Sequence, residues 1–152
     1  RGAVAAVGGL ALAPNPASRP VHPSSRPGLA AAVAARQDRT LLSWETCPQY
    51  LGLTEADYTR LGPVMKMFPL IKTVTDREEL RAALFRGEID IVATDHAPHT
   101  ADEKLHHPLA EAHAGSPRVQ TLLLSCLELA RQTGEAWRRA DRVPAAPARS
   151  VG

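Results

Sequence analysis

At 152 residues and a formal net charge of +2, the chain is long enough for one domain with a core, and its basic residues are scattered rather than gathered into a nucleic-acid footprint. An aromatic content of 4% leaves no stacking platform for single strands either. The two cysteines, Cys47 and Cys126, lie far apart without metal-type spacing, which fits a reduced, cytoplasmic protein. Residues 1–12 (RGAVAAVGGLAL) fall short of the roughly 18 apolar residues that span a bilayer, and their adjacent glycines do not suit a secretory leader. The expectation is a soluble chain that begins inside something longer, with neither nucleic acid nor membrane as partner.

Residues 13–27 (APNPASRPVHPSSRP) carry five prolines, too many for regular structure throughout. Pro27 suits the first turn of a helix, and GLAAAVAAR behind it is rich in helix formers. Thr40 to Trp44 (TLLSW) has the length and content of a short buried strand. Residues 47–75 read as a long connection with one short helical piece, TEADYTRLG, for which Thr54 is the N-cap and Gly62 the stop. Thr75 to Glu78 reads as a capping box opening the helix DREELRAALFR, with Leu80, Ala83 and Leu84 as apolar stripe and Gly87 at its close. Ile89 to Ala93 then reads as a buried parallel strand, broken only by Asp90. A second amphipathic helix is expected from Val119 to Gln132, with Val119, Leu122, Leu123, Cys126 and Ala130 on one face and Gly134 behind it. The tail, RVPAAPARSVG, is rich in Pro and Ala and ends without a stabilising element. Helices alternating with strands near residues 18, 41 and 90 indicate an α/β class. Three parallel strands with two open edges make a poor independent sheet.

The chemistry concentrates in ATDHAPHT, residues 93–100, directly behind the apolar run. A carboxylate at the C-terminal end of a parallel strand lies where α/β barrels and doubly wound sheets place their sites. Asp95 there can bind a divalent metal, act as a general base, or both. His96 and His99 can ligate metal or donate hydrogen bonds to a substrate, and Pro98 stiffens the loop between them. The same pattern also serves as an ordinary turn or helix cap. His106, His107 and His113 lie on a polar stretch without strict spacing and read as solvated surface residues.

IDIVATDHAPHT followed by DEK resembles the strand-8 segment of dihydroorotases and related cyclic amidohydrolases. ETCPQYLGLTEADYTRLGP resembles the segment after strand 7 of dihydroorotases, allantoinases and dihydropyrimidinases, and DREELRAALFRGEID is similar to the helix joining strands 7 and 8. GSPRVQTLLL resembles the family's Gly-x-Pro-Gly-x-Glu-Thr, APARSVG its Asn-Pro-Ala-Arg-x-x-Gly, and VHPSSRPGL the strand-6 segment that supplies a metal-binding histidine. The resemblance implies a partial (β/α)8 barrel, about strands 6 to 8 with their helices. Residues 1–20 are then a poorly structured lead-in and residues 21–152 the C-terminal portion of the barrel domain.

The activity implied is hydrolysis of a C–N bond in a cyclic amide, ureide or imide, dihydroorotase-like and part of pyrimidine metabolism, on a binuclear Zn2+ centre. Residue by residue, His22 matches the strand-6 metal ligand, Asp95 the strand-8 aspartate that binds metal and carries the proton to the leaving nitrogen, and His99 a contact to the substrate carboxylate. DHAPHT favours dihydroorotase, whereas ETCPQYL leans towards allantoinase or dihydropyrimidinase.

Several family features have no counterpart: the His-x-His after strand 1, the strand-4 lysine and the strand-5 histidine. Phe68 and Lys72 stand where the family has Asn and Arg in Lys-x-Asn-Pro-Pro-Leu-Arg, while Arg118 replaces the second glycine of Gly-x-Pro-Gly and Gln120 the glutamate. A barrel of this type takes about 250 residues. His22 and Asp95 alone are too few for tight zinc binding, so weak binding at most and an inactive isolated chain are expected. The alternative is a non-catalytic dihydroorotase-like subunit that stabilises a partner such as a transcarbamoylase, or a homo-oligomer.

Overall fold

The computed structural model describes residues 24–37 and 43–134. The expected strand near residue 18, the expected ligand His22 and the Pro- and Ala-rich tail lie outside the described residues. Helix α1, Arg26–Gln37, has Pro27 in its first turn, and the Ser25 hydroxyl accepts from the Gly28 N–H at 3.3 Å. Leu29 and Ala32 are its buried stripe.

Strand β1 is Glu45–Thr46, and helix α2, Pro48–Gly52, follows it directly. A 3-10 turn, Glu55–Asp57, leads into the short helix α3, Tyr58–Leu61, with Thr54 and Asp57 capping each other and Gly62 stopping the run at φ 54°. Thr54 and Gly62 therefore take the places expected of them.

Helix α4, Val74–Arg86, is the central element. Leu80, Ala83 and Leu84 are its buried residues, and Gly87 closes it in the left-handed conformation at φ 88°. Its capping box differs from the expected Thr75–Glu78. The Thr73 hydroxyl accepts from the Asp76 N–H at 3.2 Å, and the Asp76 carboxylate accepts from the Thr73 N–H at 3.3 Å. The stretch TVTDRE offers both frames, and the earlier one is favoured because Asp76 also accepts the Arg26 N–H of α1 at 2.7 Å.

Strand β2, Ile91–Val92, pairs parallel with β1 in the register Glu45 to Ile91 and Thr46 to Val92. Parallel strands need a crossover, and α4 lies within it. The first strand thus lies at residues 45–46 rather than within residues 40–44 as expected, of which 40–42 are outside the described residues. The cause is the partner. The Trp44 carbonyl accepts from the Asp90 and Ile91 N–H groups at 3.0 and 3.1 Å, and the Trp44 N–H donates to the Asp90 carboxylate at 2.9 Å. Asp90, which breaks the apolar run, thereby sets the start of the pairing.

The core joins Leu29 of α1, Tyr50 and Leu51 of α2, Met65, Met67 and Ile71 of the connection, Leu80 of α4, and Ile89 and Val92 around β2. Helix α5 is Ala101–Leu105 and helix α6 is Leu122–Thr133, with Leu129 adding to the core. The last helix starts three residues later than Val119. Val119 and Leu123 are exposed, contrary to expectation, and Leu122, Cys126 and Leu129 form the inward face. Among the described residues no helix is long and apolar enough to cross a membrane.

Candidate active site

The site begins where the strand pair ends. The Ala93 N–H still donates to the Thr46 carbonyl at 2.8 Å, and two residues later Asp95 turns the chain at φ 48°. A non-glycine residue in the left-handed region is uncommon, although Asp tolerates it better than most, and such strain gathers at functional sites. Asp95 thus stands half-buried at the C-terminal end of β2, as the sequence indicated.

Beyond it the loop is bound to the Gly-Ser-Pro-Arg segment. His96 bridges to Ser116 in parallel fashion, and the Ala97 N–H donates to the Ser116 carbonyl at 3.2 Å. The His96 Nδ1 accepts from the Arg118 and Val119 N–H groups at 3.0 and 3.3 Å, so the ring carries its proton on Nε2. The Thr121 and Leu122 N–H groups donate to the Arg118 carbonyl at 3.2 and 3.0 Å, and α6 runs on from Leu122.

His99 is half-buried at 23% side-chain exposure, with Nε2 3.2 Å from the Ala114 carbonyl and Nδ1 3.7 Å from the Glu103 carboxylate. A carbonyl only accepts, so Nε2 donates there. The ring stacks on His113 with centroids 5.0 Å apart. His113, expected as a solvated surface residue, is exposed and also stacks on His99; His106 and His107 are exposed as expected. Thr100 and Glu103 cap α5 reciprocally, and the hydrogen bonds from the Thr100 main chain and hydroxyl hold the Glu103 carboxyl below its usual range.

Under this loop two lysines are buried. The Lys66 Nζ donates to the Ala110 carbonyl at 2.7 Å, while the Lys104 Nζ donates to the Lys66 carbonyl at 3.0 Å and to the Gly115 carbonyl. Burial first, then Arg118 and Lys66, pull the Lys104 ammonium below its ordinary range. Gly115, at φ 143°, lies so close to the loop that a Cβ would stand 2.5 Å from the Ala97 carbonyl and 3.1 Å from the His99 ring. Sequence reasoning gave no role to Lys104 or Gly115, although they lie in the DEK and GSPR segments.

Cys47 is buried directly behind β1. Burial pushes its thiol up, and the Asp95 and Glu45 carboxylates push it further, with Arg118 opposing them. Among the described residues no three His, Cys, Asp or Glu side chains are grouped so as to hold a metal ion. Catalytic zinc takes about three protein ligands, so the described residues do not fit one. Asp95 suits a single ligand position, the His96 Nδ1 is already engaged, and His22 lies outside the described residues.

No family model matches the chain. It is 37% identical over 108 residues to an allantoinase from Solibacter usitatus, covering 71% of this chain and 24% of the relative. It is 39% identical over 83 residues to a dihydroorotase from Latilactobacillus sakei, covering 55% and 19%. Among solved structures, the L-hydantoinase (dihydropyrimidinase) from Arthrobacter aurescens superimposes with a TM-score of 0.81 at 26% identity, over 87% of this chain and 30% of that one. The chain thus spans at most about a quarter of the length of these two curated relatives. On these likenesses the chain belongs to the cyclic amidohydrolase family.

Proposed function

We propose that the chain is the strand-6 to strand-8 portion of a cyclic amidohydrolase barrel and that Asp95 moves the proton in opening a cyclic amide, ureide or imide ring. The observation that carries this reading is the placement of Asp95: a half-buried carboxylate at the C-terminal end of a parallel strand, held at φ 48°. In the reaction, water adds to the carbonyl carbon, a C–O bond forms and the ring C–N bond breaks. Asp95 takes the proton from the attacking water and delivers it to the leaving nitrogen. A positioned acid–base of this kind contributes roughly 10²–10⁴-fold.

His99 faces the same loop with a donor on Nε2 and is the candidate contact to substrate, exchanging the Ala114 carbonyl for an anionic or carbonyl oxygen of the ring. The described residues do not assemble a metal centre, so the ring-opening requires groups outside them, and zinc stands as the family's cofactor in this proposal only.

The test is hydrolysis of dihydroorotate, allantoin and hydantoin by the intact polypeptide that contains these residues, beside the 152-residue chain alone. The reading expects ring opening of one of them by the intact polypeptide and none by the isolated chain. Failure of the intact polypeptide to open any of the three would overturn it.

A further inference from the structure

Between α2 and α6 lies a cavity of about 250 Å³, whose walls include neither Asp95 nor His96 nor His99. Leu51, Leu53 and Leu129 give it apolar surface, and Arg81 and Arg118 are among its lining residues. Their situations differ. The Arg81 Nε donates to the Leu51 carbonyl at 2.6 Å, and its Nη1 lies 3.6 Å from the Glu78 carboxylate. Arg118 pairs with no carboxylate among the described residues, and its Nε is buried without a hydrogen-bond partner. Burial pulls this guanidinium below its ordinary range. Glu128, at the same wall, is already committed to Arg131 at 2.8 Å through both oxygens and to Gln132 at 2.9 Å.

A cation withdrawn from water without a counter-charge is costly, and guanidinium is best satisfied by a carboxylate that accepts two parallel N–H groups. Apolar walls beside it select an organic body over a bare anion. Ligand pockets for drug-sized molecules run roughly 300–1,000 Å³, so this volume suits a short-chain acid. We propose that the cavity between α2 and α6 binds a small organic carboxylate, with the acid on Arg118 and the hydrocarbon against Leu51, Leu53 and Leu129. None of these lining residues is one that the proposed ring opening uses.

Butyrate is the probe, titrated by calorimetry into the intact protein at low salt, with butyramide as its uncharged counterpart and inorganic phosphate as an anion without an apolar body. Saturable butyrate binding is expected, with butyramide and phosphate at least about tenfold weaker. Arg118→Gln should weaken butyrate by about tenfold or more. Ser125→Leu fills the cavity from α6, leaves Arg118 in place, and should abolish saturation; it decides the matter if Arg118→Gln does not fold. Absence of saturable butyrate binding overturns the proposal. So does butyramide or phosphate binding as tightly as butyrate, or full affinity in either folded variant.

Discussion

The buried ammonium of Lys104 donates to the carbonyl of Gly115, and the Lys66 carbonyl, 3.0 Å from the same ammonium, accepts the Gly115 N–H at 3.0 Å. Three segments distant in sequence therefore meet in one knot beneath the Asp95–His99 loop. Hydrogen bonds from a charged donor contribute about 1.5–3 kcal/mol each, and a buried carbonyl left without its donor is costly. Lys104→Met should lower stability by about 2–4 kcal/mol, read as an earlier midpoint in urea. An unchanged midpoint would mean that the knot does not hold the loop.

Gly115→Ala attacks the same place from the other side. Its φ of 143° is foreign to L residues, and the new methyl carbon would meet the Ala97 carbonyl at 2.5 Å and the Ala97 Cβ at 2.7 Å. Overpacking and backbone strain each cost about 1–3 kcal/mol, so a loss of about 2–5 kcal/mol is expected in thermal or urea unfolding. A variant as stable as the parent would show that the loop yields freely.

His96 anchors the turn before α6 through its Nδ1. His96→Phe keeps the ring and removes the acceptor. Hydrogen exchange at the Arg118 and Val119 amides should accelerate by about tenfold, while the amides of α4 are unaffected. Equal protection of residues 118 and 119 in both proteins would contradict this anchoring.

Asp76 gives a pH prediction. Its partial burial favours the neutral acid, but hydrogen bonds from the Thr73 hydroxyl and the Arg26 and Thr73 N–H groups outweigh that and hold its folded value below the ordinary 3.8. For a depressed carboxyl, the stabilisation is complete above the ordinary range and is lost as pH falls through the folded value. At neutral pH Asp76→Asn should be less stable by about 1 kcal/mol, the usual worth of a cap, and the difference should vanish in acid. A pH-independent difference in melting temperature would sink this account.

Much of the fold was legible because its signals are local. The stripe of Leu80, Ala83 and Leu84 with Gly87 behind it, the Thr54 cap and the apolar run into Asp95 all lie within one element and its flanks. Where two local patterns competed, a distant partner decided. The Arg26 N–H selected the Thr73 frame of α4, and the Asp90 backbone and carboxylate selected the start of pairing at Trp44. The site divides in the same way. The placement of Asp95 after a strand was legible from the apolar run before it, whereas the Lys104 knot joins groups 38 and 11 residues apart and leaves no periodic trace. The last helix starts three residues later than expected, and the bond from the Arg118 N–H to a histidine 22 residues upstream lies outside any local pattern.

The central claim rests on Asp95, and Asp95→Asn tests it most directly. Asn shares the tolerance of Asp for the left-handed conformation at φ 48°, so the fold should persist while the proton-carrying group is lost. The measurement is the ring-opening rate of the intact polypeptide on its best cyclic substrate, with melting temperature taken alongside. The account predicts a fall in kcat of roughly 10²-fold or more with little change in melting temperature. A folded Asp95→Asn protein that opens the ring at the parent rate would contradict it.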